Sequence, residues 1–146
     1  MTHRVVLEAD WFIINKTRHF KRIAFFAPSL GCFREFTFSL PPGVALFKKE
    51  LACQARHSHK LDWRAKGEFR HDELSRALSV MINLLGESDL DFYAKGLEKC
   101  RLFERYLGIV NDLDSTGCPK YEDLSTYPKS TLQKALAFGQ WLEWSE

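Results

Sequence analysis

Glu8 and Asp10 stand two residues apart inside an apolar stretch, and carboxylates at that spacing can share a hard divalent cation. Alternate side chains of an extended chain point the same way, so both acids should project from one face together with Val6 and Phe12. Such a pair suits Mg2+ or Mn2+ in phosphodiester cleavage, where several carboxylates hold two ions roughly 4 Å apart. Glu98 and Asp112 are the further acids that could complete the set. The competing reading makes Glu8 and Asp10 remnants at a sheet edge, each paired with a Lys or Arg, because two buried unpaired acids would be costly.

Soft ligands cluster in one place, Cys53-Gln-Ala-Arg-His57-Ser-His59. On a helix, Cys53 and His57 would share a face and could bind Zn2+ with His59 and a distant Cys100 or Cys118. The alternative is a core thiol at Cys53, and a structural zinc is not expected. A third chemistry is electrostatic. Arg56, Lys60, Arg64, Lys66 and Arg70 surround Trp63 and Phe69, and Lys16, Arg18, His19, Lys21 and Arg22 surround Phe20. Basic groups interleaved with rings suit single-stranded nucleic acid, whose phosphates meet the charges while bases stack. A solvated loop with Trp63 folded back into the core explains the first strip equally well.

The elements that must position these groups follow from pattern. Three β-rich runs, 4–15, 20–28 and 32–40, are separated by short polar connections and predict an antiparallel meander, stopped by Pro41-Pro42-Gly43. Val44, Phe47, Leu51 and Ala55 recur at helical spacing over 44–56, and 57–70 is irregular. A helix over 72–85 would be capped by Asp72. Then come a short strand at 91–95, a helix at 97–107 stopped by Gly108, a strand at 109–112 and a closing helix at 130–144. This order predicts one α/β domain, 1–146, with a mixed five-stranded sheet in which strands 1 to 3 are antiparallel and strands 4 and 5 run parallel beside strand 1. That is the ribonuclease H-like arrangement, and a ferredoxin-type α+β layout is its competitor.

The chain has 146 residues, 45% of them hydrophobic, with twelve Phe and four Trp, which is enough for one core. Its net charge of +2 is unevenly spread. Residues 1–70 carry 13 Lys/Arg against 6 Asp/Glu, and residues 71–146 carry 8 against 13, so the halves are +7 and −5. Four cysteines without a CxxC pair fit a reducing intracellular setting, cytoplasmic or nuclear. No signal peptide is read at the N-terminus, and no apolar run approaches the ~20 residues of a membrane span.

Three stretches resemble the DEDDh exonuclease superfamily, in particular the divergent branch related to the Maelstrom domain. They are Val6-Leu-Glu-Ala-Asp10, Asp91-Phe-Tyr-Ala-Lys-Gly-Leu-Glu-Lys-Cys-Arg-Leu-Phe-Glu104 and Val110-Asn-Asp-Leu-Asp-Ser-Thr-Gly-Cys-Pro119. The family normally has Asp before Glu in the first motif, the reverse of Glu8 and Asp10. Its next metal-binding Asp would fall at about Glu98-Lys99, and its last helix should carry a His and an Asp, where 129–143 has no His and no acid before Glu143. The Maelstrom-like zinc set of Glu, Cys, His and Cys is also incomplete, since 121–134 offers neither His nor Cys.

The resemblance therefore implies a scaffold without its chemistry, with Lys99 standing where a cation would sit. The expected role is binding of RNA or single-stranded DNA along a basic cleft formed by 56–70 with Lys95 and Lys99. A protein-interaction module, adaptor or inhibitor, is the alternative, with a partner or second copy docked on Trp141 and Trp144. Third stands an active Mg2+- or Mn2+-dependent 3′–5′ exonuclease using Glu8, Asp10, Glu98 and Asp112 or Asp114, with Tyr121 or Tyr127 replacing the missing base. No resident cofactor is otherwise expected.

Overall fold

The computed structural model describes residues 2–145. Strands β1 (His3–Ile14), β2 (Thr17–Ala27) and β3 (Cys32–Thr37) form the meander. The β1–β2 connection is the two-residue turn Asn15-Lys16, both at positive φ (49° and 63°), a twist that suits a tight hairpin. Strands β4 (Leu90–Ala94) and β5 (Val110–Asp112) complete a sheet of order β3-β2-β1-β4-β5. Pairing is antiparallel among β1, β2 and β3 and parallel between β1 and β4 and between β4 and β5. The expected mixed five-stranded sheet flanked by helices is thus observed.

Helices cover both faces. Odd-numbered β1 residues Val5, Leu7 and Ala9 enter the larger core with Ala77, Leu78 and Met81 of α2 (Leu74–Leu85) and Cys100 and Phe103 of α3 (Leu97–Leu107). On the opposite face Val6 packs with Tyr121 of the single-turn helix α4 (Tyr121–Leu124) and with Phe138 and Leu142 of α5 (Thr131–Trp144). A third cluster joins Phe12 and Ile14 to Leu51 of α1 (Lys48–Gln54) and to Leu61. The alternation in β1 therefore sends Glu8 and Asp10 to the α5 side, with Val6 and Phe12, as the spacing predicts.

Two glycines set how closely these layers approach. A Cβ on Gly139 would lie 2.4 Å from the Phe26 ring, so α5 crosses β2 at the one residue that leaves room. A Cβ on Gly67 would lie 2.3 Å from the Phe38 backbone. Gly67 is therefore a contact point between segment 57–70 and the end of the sheet. From there the chain runs against the end of the sheet: the Phe69 amide donates to Thr37 O at 3.0 Å and the Ser39 amide to Phe69 O at 2.9 Å.

Several local expectations change. Helix α1 is preceded by the 3-10 turn Val44–Phe47 and followed by a π turn, Ala55–His59. Asp72 does not cap α2; the cap position is Glu73, whose carboxylate accepts from the Arg70 amide at 2.7 Å. The turn at Tyr121–Leu124 has no counterpart in the sequence reading. Lys21, read as part of a surface strip, is the extra residue of a bulge where Asp10 pairs with Arg22 and Trp11 with Phe20. The bulge turns its ammonium inward, 4% exposed, to donate to Phe38 O at 2.8 Å and to Ala65 O. Burial holds that ammonium below its usual pKa.

Candidate functional site

β4 ends at Ala94, opposite Leu7, so no strand lies beside Glu8 on that edge of β1. Lys99, on the first turns of α3, reaches through this opening and donates to Glu8 Oε1. From the covering helix, Lys134 Nζ lies 2.9 Å from Asp10 Oδ1 and 3.7 Å from Glu8 Oε1. Thr131, one turn earlier on α5, donates its hydroxyl to Asp10 Oδ2 at 2.6 Å. The Ala9 amide also donates to Glu8 Oε1, at 3.1 Å. Glu8 is fully buried and Lys134 is 7% exposed.

Two carboxylates thus meet two ammonium groups and their formal charges cancel. Burial alone would pull the Lys134 pKa down, but Glu8 and Asp10 outweigh it, and the net direction is upward. Lys134 remains an ammonium with its bonds directed at the two acids. Carboxylates already neutralised in this way have little attraction left for a metal ion. Glu8 Oε2 is buried without a hydrogen-bond partner, a further cost that the two nearby cations offset.

The other acids do not join them. Glu98 is exposed and pairs with Arg18 at 2.8 Å. Asp112 accepts from the Gly96 amide at 3.1 Å and the Asp114 amide at 2.9 Å, fastening the end of β5 to the β4–α3 turn. Among the described residues, no group of three or more His, Cys, Asp and Glu side chains could hold a metal ion. Cys53, His57 and His59 consequently do not converge with Cys118 or Cys100. Cys53 and His57 are exposed, while the His59 ring lies edge-on to Phe12 with its Nδ1 accepting the Leu61 amide at 3.1 Å. Cys118 and Cys100 are core thiols, each pushed up to about 11 by burial. Asp112 adds to that rise at Cys100.

The basic positions divide in the same way. Lys95 pairs with Asp114 and donates to Cys118 O at 3.1 Å, and Lys99 is tied to Glu8, so both cleft lysines already face an acid. Arg70 pairs with Asp72 at 2.8 Å. By contrast Arg56, Lys60 and Lys66 are exposed and form no ion pair among the described residues. Arg56, Lys60 and Arg64 line one hollow of about 540 Å3 with Trp63. The Trp63 ring is half-buried against the third core cluster, as the loop reading expects, and carries the Arg64 guanidinium 5.4 Å from its centroid.

Lys134 and Thr131 escape the sequence reading, which sought only acids and histidines in the last helix. A signal for them exists. Thr131, Lys134, Ala135, Phe138, Gly139 and Leu142 form the buried stripe of α5, and two polar residues on that stripe must meet polar partners across the core. Leu132, Leu136 and Trp141 flank that stripe half-buried, and Trp144 is exposed.

No protein-family model matches the chain, and no curated protein matches it. Fold and site alone define it as an α/β protein with a mixed sheet and a buried, charge-compensated acid pair. Among the described residues no helix is long and apolar enough to cross a membrane.

Proposed function

We propose that the chain is a catalytically silent, ribonuclease H-like domain of exonuclease type that binds single-stranded nucleic acid, RNA in preference to DNA. The observation that carries the silent half is Lys134 between Glu8 and Asp10 with Lys99 on Glu8: ammonium groups hold the position a metal would need. Strand order and direction support the scaffold assignment. The binding half rests on the Arg56, Lys60, Trp63 and Arg64 hollow, where Arg56 and Lys60 have no carboxylate partner among the described residues, Arg64 lies 3.9 Å from Asp62, and the three cations border an aromatic edge. Segment 56–70 replaces the cleft lysines Lys95 and Lys99 as the binding surface, since both of those are paired.

Fluorescence anisotropy with a labelled 12-nucleotide RNA, and with the matching DNA, tests the binding half. Each neutralised phosphate contributes about 0.7 to the salt slope for single strands, so Arg56→Ala/Lys60→Ala/Arg64→Ala should flatten the slope by about 2. No binding at ~50 mM salt would remove this half. A nuclease assay in Mg2+ and Mn2+ tests the other half: cleavage that disappears in Glu8→Ala would overturn it.

A further inference from the structure

A second concave surface lies on the far side of α5, independent of the nucleic-acid reading. It is a groove of about 950 Å3 walled by Tyr127, Trp141 and Trp144 and bordered by Glu122 and Asp123. Trp144 is 79% exposed and Tyr127 70% exposed, an unusual outlay of aromatic surface for a small chain. The walls are braced. The buried Tyr121 hydroxyl donates to Tyr127 O at 2.9 Å, the Ser125 amide to Tyr121 O at 3.1 Å and the Tyr127 amide to Ser125 Oγ at 3.1 Å. The groove is therefore formed before anything enters it.

Its charge is one-sided. Two acids and no Lys or Arg line it, and Asp123 has no ion pair among the described residues. The Glu122 carboxyl is held below its usual pKa first by its own backbone amide and then by Lys129 at 3.3 Å. The last turn of α5 lines the same groove without a basic residue of its own, and the Arg4 guanidinium donates to its Leu142 carbonyl at 3.4 Å. Exposed ring faces beside carboxylates favour a cation carried on an aliphatic stem.

We propose that this groove binds an extended protein segment bearing arginine or lysine side chains, with a cationic head over Trp144 or Tyr127 and charge met by Asp123. The test uses the full chain with a fluorescein-labelled octapeptide alternating Arg and Gly, and a Glu-Gly octapeptide as control. Binding of the Arg peptide alone, weakened about tenfold by Trp144→Ala and about threefold by Asp123→Asn, is the expected result. Both residues are exposed, so folding should survive, and circular dichroism checks it. Failure of the Arg peptide to bind, or binding unchanged in both variants, overturns the proposal. So does a concentration-dependent dimer that Trp144→Ala dissolves and the peptide does not compete with, since a second copy would then be the occupant. Arg56→Ala/Lys60→Ala/Arg64→Ala should leave peptide binding intact, which separates this site from the nucleic-acid reading.

Discussion

Lys134 and Lys60 line the same small cavity with Asp10 and His59, yet they do opposite work. Lys134 belongs to a largely buried region, closed in the sense that each charge has a partner and the sum is zero. Lys60 belongs to an open region, segment 56–70, where Arg56 and Lys66 also stand in solvent without carboxylates. The lesson is that a cation's availability depends on what it faces, and not on its place in a cleft. Buried pairing turns lysine into a structural tie between helix and sheet, whereas exposure without a partner leaves it free to meet a phosphate.

The largest expected effect breaks the closed region. Lys134→Met strands Asp10 and part of Glu8 in the core, and removing one member of a buried ion pair costs about 3–5 kcal/mol. Urea denaturation should show that loss. Lys134→Met/Asp10→Leu, which removes both partners, should recover much of it, because an apolar replacement of the pair is often close to neutral. Equal loss in both variants would mean that the cluster is not held by charge pairing. Next in size is Gly139→Val, which drives a side chain into Phe26 and lifts α5 from β2, at about 1–3 kcal/mol of overpacking. Phe26→Leu should relieve part of that cost, and thermal melts of the single and double variants measure it.

The two regions were not equally legible in the sequence. Alternation in β1 and the strong turn at Pro41-Pro42-Gly43 made the sheet readable, and the length and spacing of 97–107 matched a helix at both ends. Glu8 and Asp10 were legible as a pair on one face. Their partners were not, because Lys134 is more than 120 residues away and only the crossing of α5 over the sheet brings it there. Asp112 and Glu98 looked like ligands by type, but an Asx turn and the half-buried Arg18 claim them. The close approach of Gly67 to the Phe38 backbone leaves no trace in composition, so 57–70 read only as irregular.

A smaller effect sharpens the boundary between the regions. His59 is held below its ordinary pKa by burial, which outweighs the raising influence of Asp10 and the Trp11 carbonyl, while Lys134 lowers it further. His19 moves the same way, through burial first and then His71. A histidine with a depressed folded pKa binds more protons when unfolded. Stability is therefore full above about pH 6.5 and declines as pH falls from there toward the folded value. His59→Phe should remove its share of this slope in urea titrations between pH 7.5 and about 5.

The smallest stability effect belongs to the open region, and its smallness is the point. Arg56, Lys60 and Arg64 satisfy no buried group, so truncating each to alanine should move stability by no more than about 0.5 kcal/mol. Arg64 sits on Trp63, and its loss uncovers some ring surface, so it should be the largest of the three. A melt of the triple variant that matches the parent, alongside a flattened salt dependence for RNA, would assign these cations to an outside anion. If the triple variant instead unfolds as readily as Lys134→Met, segment 56–70 is structural too, and the contrast between closed and open regions fails.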